Sequence, residues 1–169
     1  IDSSAADKAA NFIEICSAHG LPILSFVDTP GFMVGPDSEK EGAFRRMGEL
    51  FKHGARIKTP LVGIILRRGY GLGAMAMMGG SFVDPIYSAS WPNGEFGGMG
   101  LEGYVKLGFK KELEAEETEE KKKALFDKLV ARMYEVGKAT EAAAHLEMDA
   151  VIDPASTRET ILKAFKSFG

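Results

Sequence analysis

Residues 61–80 read LVGIILRRGYGLGAMAMMGG. The first six are apolar and rich in β-branched side chains, which predicts a buried strand over 61–66. Five glycines then fall within fourteen residues (Gly69, Gly71, Gly73, Gly79 and Gly80), interleaved with alanines and methionines, and a helix is predicted over 74–80. The stretch 67–80 holds no serine, cysteine, histidine or carboxylate. Glycines there permit positive φ and let a ligand approach the backbone. A helix that starts after them leaves its first N–H groups unpaired. Fixed donors of that kind suit an oxygen that gains charge during a reaction. Close packing of a helix on a sheet explains the small residues equally well, and both readings stand at this point.

Outward from this junction, strands and helices alternate. Residues 3–20 read as a helix with Ala6, Ala9, Ile13 and Cys16 on its inner stripe, Ser4 and Asp7 as a capping pair and Gly20 as its stop. LPILSFVD (21–28) is a strand ended by Thr-Pro-Gly. AFRRMGELFKHGARI (43–57) is a helix with Phe44, Met47 and Phe51 on one stripe and Leu50 beside it. PIYSASWP (85–92) is a short strand, followed by a loop, NGEFGGMGLEG (93–103). From Lys110 the chain becomes charge-dense and glycine-poor, which predicts one long amphipathic helix to Gly137, an arm with Leu125, Leu129, Met133 and Val136 on a face. Residues 139–154 hold a short helix and a strand. A closing helix has Ser156 and Glu159 as a capping box and Ile161, Leu162, Phe165 and Phe168 as its buried stripe. The alternation predicts an α/β fold with parallel pairing.

The totals narrow the function. The 169 residues suffice for one compact domain, and 45% hydrophobic content suffices for a sizeable core. With 21 basic against 24 acidic residues the net charge is -3, which offers nothing to nucleic acid or an anionic membrane. No apolar run approaches the roughly 20 residues of a membrane span. A lone cysteine, Cys16, excludes an internal disulfide framework and fits a reducing compartment. The first residues carry no signal-like segment and no starting methionine, so the chain is expected to be a piece of something longer.

Other candidate chemistry is sparse. VDTPGF (27–32) ends a strand at Asp28 and turns through Pro30 and Gly31. Ligands in α/β folds gather at such carboxyl ends, although an ordinary strand-ending turn looks the same. DTPG also occurs in GTPases, but no G-x-x-x-x-G-K-S/T loop accompanies it. GYGLGA departs from the dinucleotide fingerprint G-x-G-x-x-G. His19, His53 and His145 have no metal-ligand spacing and read as surface or capping residues, and no metal is expected. Cys16 reads as a core residue, and the run EAEETEEKKK as a solvated helix face. Met75, Met77 and Met78 either line an apolar pocket or fill the core; Trp91 either walls a pocket or fills the core.

At FVDTPGFMVG, GARIKTPLVGII, RRGYGLGAMAMMGG, SASWPNGEFGGMGLEG and AAHLEMDAVIDPASTR, in that order along nearly the whole chain, the sequence resembles the carboxyltransferase (β) subunit of biotin-dependent acyl-CoA carboxylases of the propionyl-CoA and methylcrotonyl-CoA type. The resemblance covers the C-terminal half of such a subunit, so residues 1–169 are expected to be one biotin-binding domain, without the N-terminal half that binds most of the acyl-CoA. It implies a crotonase-like spiral of repeated β-β-α units. It implies carboxybiotin, carried on a partner protein, as carboxyl donor and an acyl-CoA as acceptor. Carboxybiotin releases CO2, the biotin takes the α-proton, and the enolate captures CO2, with no side-chain base required.

Carried over by position, the biotin-side oxyanion donors are the amides of Leu72 and Gly73, where the family more often has a glycine followed by alanine. Gly31, Phe32, Gly71 and Met75 are the substrate-binding candidates. Gly31 and Phe32 match the loop beside the biotin ring. Met75 occupies an acyl-selectivity position that is often aspartate in propionyl-type enzymes, which leaves the acyl group open. Arg45, Arg46 and Met47 stand where the family usually has Arg-His-Gly, and Trp91, Pro92, Glu95 and Gly100 match a supporting segment beneath the site. The implied partners are a biotin carboxylase and biotin carboxyl carrier subunit, the N-terminal carboxyltransferase half, and further copies in a dimer or hexamer, with no nucleic acid or membrane. A cytoplasmic or, in a eukaryote, mitochondrial matrix location is expected. Two other readings remain open here: the carboxyltransferase subunit of a sodium-pumping acyl-CoA decarboxylase, whose chemistry runs in the reverse direction, and an isolated half that is inactive and serves binding or assembly.

Overall fold

The structure, a computed structural model, describes residues 1–168. Helix α1 (Ser3–Ala18) buries Ala6, Ala10, Ile13 and Cys16, and it leads to strand β1 (Ile23–Thr29). Its N-cap is Asp2, whose carboxylate accepts the Ala5 N–H at 2.7 Å, not the expected Ser4–Asp7 pair; Asp7 instead pairs with Arg46. Gly20, at φ +66°, takes the left-handed position that ends the helix. Helices α2 (Pro36–Lys40) and α3 (Ala43–Gly54) follow. The buried residues of α3 are Ala43, Leu50 and Gly54, so the inner stripe runs through Leu50; of the expected stripe, Phe44 is 80% exposed while Met47 is half-buried and Phe51 packs against the core.

Strand β2 (Leu61–Tyr70) is the axis of the sheet and runs four residues beyond the expected end at Leu66. It pairs in parallel with β1 along one edge. Its other edge takes β3 (Tyr87–Ser90) at Val62–Ile65 and then β4 (Glu95–Gly97) at Arg68–Tyr70. Strand β5 (Ala150–Val151) completes the sheet beside β3. Side chains alternate across a strand. On one face Val62 and Ile64 meet Ile161 and Ala164 of the last helix; on the other Leu61 meets α1 and α3, and Ile65 meets Ala74 and Met78. Burial on both faces explains the unbroken apolar run. The register of β1 against β2 slips between Val27↔Ile65 and Thr29↔Gly69, leaving Arg67 and Arg68 in a bulge; the Asp28 carboxylate accepts the freed Arg68 N–H.

Helix α4 (Gly71–Met77) follows β2 without a connecting loop, three residues earlier than expected, and Gly79 and Gly80 lie past its end with positive φ. Met78 is fully buried and fills the space above Gly63, while Met77 is partly buried against the core. The expected loop after Trp91 contains β4 and the start of α5 (Leu101–Gly108). The predicted single arm is two helices, α6 (Lys110–Glu114) and α7 (Glu119–Val136), because Thr118 accepts the Lys121 N–H and starts a new helix. Helix α8 (Ala139–Ala144) precedes β5, and α9 (Thr157–Phe168) closes the described chain. Its expected capping box does not form: Ser156 donates to the Asp153 carbonyl, and Glu159 pairs with Lys163. Its buried stripe is Ile161 and Ala164 with Phe165 beside them, while Leu162 and Phe168 are about half exposed. No described helix is long and apolar enough to cross a membrane.

The two helix stripes are distinguishable by unfolding. Leu50→Ala, at a fully buried position, is expected to cost about 2–5 kcal/mol, whereas Leu162→Ala should cost less than about 1 kcal/mol. Urea denaturation of both variants measures the difference, and equal losses would contradict the assigned stripes.

Candidate functional site

Two glycines of the opening stretch, Gly71 and Gly73, are held by backbones, not by side chains. Gly71, the first residue of α4, has φ +59°, and a Cβ on it would lie 2.6 Å from the Gly98 carbonyl oxygen. A Cβ on Gly73 would lie 2.7 Å from the carbonyl carbon of Gly31 and 2.9 Å from the Phe32 nitrogen. The first turn of α4 therefore sits directly on the 31–32 turn and on the loop after β4. The Leu72 and Gly73 N–H groups belong to that first turn, where no intrahelical partner exists. Among the described residues, no turn or capping hydrogen bond uses them.

A cavity of about 360 Å³ opens beside this contact, between the 30–34 turn, α3, the start of α4 and residues 98–100. Gly31, Phe32, Gly71 and Leu72 all line it, together with Phe44 and Met47. Gly31 has φ +115°, and its N–H donates to Thr29 Oγ1 at 3.1 Å, which fixes the turn. Phe32 leans on Phe51, with ring centroids 6.4 Å apart. Ser38 and Glu39 are the polar side chains at the rim. Gly73 is buried behind the wall. Met75 is not brought to this cavity. It faces a second one of about 440 Å³ on the other side of Gly71 and Gly98, which line both.

Other expected residues scatter. Arg46 is held by Asp7, Arg45 is exposed, and Gly100 lines the first cavity while capping α5. Trp91 is half-buried against the core, its indole N–H donating to Thr157 Oγ1 at 2.9 Å. Pro92 is exposed at the surface. His19 caps α1, His53 lies 3.9 Å from Glu14, and the His145 ring is 2.8 Å from the Glu141 carbonyl. Among the described residues, no three His, Cys, Asp or Glu side chains converge as a metal site.

Two polar contacts that sequence reading passes over hold the site's frame. Tyr70, buried at the end of β2, donates its hydroxyl to Glu95 Oε2 at 2.7 Å. Burial first, and then the Glu95 carboxylate, push this phenol far above its ordinary range. The pair ties β2 to β4 and so keeps Gly97 and Gly98 beside Gly71. At the opposite edge of β2, Asp28 accepts from Arg68 Nε at 2.9 Å and from Arg67 at 3.3 Å. The Arg68 hydrogen bond is the main reason the Asp28 carboxyl lies below its usual value. A carboxylate or hydroxyl at a strand end in an otherwise apolar or glycine-rich stretch is the signal that would have found both.

Gly71→Ala should lower stability by at least about 1–2 kcal/mol from its backbone conformation alone, and further through contact with Gly98. A thermal melt within a degree of the parent would contradict that geometry. For Asp28, a depressed folded-state pKa means that its stabilisation is present above the unfolded carboxylate range and fades as pH falls through it. Asp28→Asn is thus expected to be less stable than the parent at about pH 6, with the gap closing towards about pH 3. Unfolding free energies across that range measure the gap.

Comparison with known proteins identifies the family. The carboxyl transferase domain family profile matches residues 1–167. The chain is 31% identical to the methylmalonyl-CoA carboxyltransferase 12S subunit of Propionibacterium freudenreichii subsp. shermanii, over 99% of this chain and 32% of that protein. The chain spans about a third of the length of the curated relatives it matches. Among solved structures, a transcarboxylase 12S hexamer with methylmalonyl-coenzyme A bound superposes with a TM-score of 0.88 at 29% identity, over 99% of this chain and 32% of that one. A single-chain, multi-domain long-chain acyl-CoA carboxylase superposes with a TM-score of 0.84 at 53% identity, over 97% of this chain and 16% of that one. The fold is crotonase-like α/β, as these neighbours are. The family profile, matched over residues 1–167 of this fold, places the chain in the carboxyl transferase domain family.

Proposed function

We propose that this chain is the biotin-facing half of a carboxyltransferase, one domain that moves the carboxyl group of carboxybiotin to the α-carbon of an acyl-CoA. The observation that carries the reading is the convergence of Gly31, Phe32, Gly71 and Leu72 on one cavity whose helical wall carries the uncommitted Leu72 N–H, with that of Gly73 next to it in the same turn. The lining suits a neutral bicyclic ureido ring: Phe32, Phe44 and Met47 offer apolar walls, and the glycine rim admits close approach to the backbone. When bound, carboxybiotin supplies the carboxyl group and, after losing it, the base.

The chain's own task is then polarisation. The amides of Leu72 and Gly73 donate to the ureido oxygen as it gains charge, and their fixed orientation in a helix turn means that no reorganisation is needed during the reaction. Leu72 serves as well as glycine here because its side chain, 62% exposed, takes no part in the donation. Phe32 and Met47 exclude water from the ring. The acyl-CoA half of the site comes from the remainder of the longer carboxyltransferase, and the biotin from a carrier domain or subunit paired with a biotin carboxylase. Assembly into a dimer or hexamer joins the two halves. The 53% identity to a long-chain acyl-CoA carboxylase supports a long acyl group as substrate, and apolar Met75 agrees with it.

The donor assignment is tested without touching a side chain. Any Cβ at Gly73 would collide with Gly31, so a side-chain substitution there confounds donor loss with a displaced turn. Replacing the Leu72 amide by an ester in the full-length carboxyltransferase is expected to lower kcat by about 10²–10³. Near-normal turnover in the ester protein would refute the oxyanion role. In the same assay this chain by itself should transfer no carboxyl group from carboxybiotin to acyl-CoA, and addition of its missing half should restore transfer.

A further inference from the structure

Of the eight methionines in the chain, two are exposed, Met33 and Met99. Both line the cavity proposed for biotin. Met33, 56% exposed, follows the Gly31–Phe32 turn, and Met99, 38% exposed, follows Gly98. The two therefore reach the cavity from separate segments, each on a backbone that packs against the first turn of α4. The Met33 N–H donates to the Ile1 carbonyl at 2.8 Å, which fixes the turn that carries it. A third methionine, Met47, lines the cavity from α3 and is half-buried. The other five are buried or half-buried, and none lines this cavity. Leucine or valine would serve as well for an apolar rim, and Leu72 and Val34 stand in the same lining. What a thioether adds is a sulfur that oxidants attack. The chain's single thiol, Cys16, is buried, so a soluble oxidant meets Met33 and Met99 first.

We infer that Met33 and Met99 are oxidative modification sites, through which hydrogen peroxide weakens biotin binding in this cavity. The inference rests on the carboxyltransferase reading and adds a regulation to it. In the step, a sulfur lone pair attacks one peroxide oxygen, and an S–O bond forms as the O–O bond breaks. The departing hydroxide takes a proton and leaves as water. The thioether is oxidised to a sulfoxide and the peroxide is reduced. Methionine sulfoxide reductases reverse the change, one enzyme for each sulfoxide epimer. Oxidation turns a flexible apolar side chain into a polar one. A ring seated against the modified rim would bury that new oxygen, and burying a polar group without a partner costs binding. The donors at Leu72 and Gly73 are backbone amides and keep their place in the helix turn. The loss therefore falls on KM for the biotin substrate more than on kcat.

The test exposes the full-length carboxyltransferase to dilute hydrogen peroxide and maps its methionine peptides by mass spectrometry as oxidation proceeds. Met33 and Met99 are expected to gain oxygen before Met47, Met75 and Met133, with Met78 and Met148 last. At the stage where only the first two are oxidised, KM for the biotin substrate should rise at least about fivefold, while KM for acyl-CoA stays within twofold. Treatment with both methionine sulfoxide reductases should restore the original KM. A variant carrying Met33→Leu and Met99→Leu keeps the rim apolar and removes both sulfurs. Measured against its own untreated rate, it should lose no more than a small part of its activity in the same exposure. Oxidation that starts at the half-buried methionines overturns the inference. So does oxidation of Met33 and Met99 with an unchanged KM, or equal inactivation of parent and variant; each of these leaves the carboxyltransferase reading intact. An untreated parent that transfers no carboxyl group between biotin and any acyl-CoA overturns the reading beneath it.

Discussion

Three stretches of backbone meet with no side chain between them: the turn at Gly31, the first turn of α4 at Gly71 and Gly73, and the loop at Gly98. A single added methyl at Gly71 or Gly73 would come within 2.9 Å of a backbone atom of a neighbouring segment. Those segments are parts of the sheet and its connections, and none yields as the tip of a flexible side chain does. The site's shape depends on this contact, because the same residues separate the two cavities and present the free amides. Glycine's cost in conformational entropy is repaid in position.

Such a contact needs support from either side. Asp28 satisfies the bulge in β2 on one edge, taking the Arg68 N–H that the slipped register leaves without a ladder partner. Tyr70 and Glu95 close the other edge across β2 and β4. Between these two contacts lies only Gly69, and α4 starts directly after Tyr70. The bulge also explains why β2 outlasts its apolar run: the strand turns Gly69 and Tyr70 inward again after two exposed or half-exposed arginines. A strand with two pairing regimes can hold β3 and β4 in sequence on one edge, and that arrangement delivers the Gly97–Gly98 loop to Gly71.

The readable parts of the fold were those whose signal is local and periodic. The inner stripe of α1, the apolar run of β2 and the glycine punctuation at 71–73 all announce themselves within a dozen residues. What escaped was decided by tertiary partners. Phe44 and Leu50 both look like core residues of α3, and only the position of β1 and α1 selects Leu50. Ser156 and Glu159 have the spacing of a capping box, but Asp153 and the turn at Pro154 take the start of that helix first. β4 is three residues long and gains its identity from the end of β2, so nothing in NGEFGGMG marks it as a strand. For the site, four of the six candidate residues converge on one cavity; Gly73 supports it from behind, and Met75 belongs to its neighbour.

A site made from backbone has a consequence for how such a protein diversifies. Donation by an amide is indifferent to the side chain above it, so position 72 accepts leucine in place of a smaller residue provided that the turn keeps its φ and ψ. Position 71 has no such freedom, being held by both a positive φ and the Gly98 oxygen, and position 73 is held by Gly31. Selectivity then has to be written elsewhere, where side chains still face a cavity. The cavity on the far side of Gly98 is such a place: Met75, Phe82 and Val83 can change size without moving a donor. The packed glycines tolerate almost no substitution, whereas the side chains that line the neighbouring cavity are free to vary.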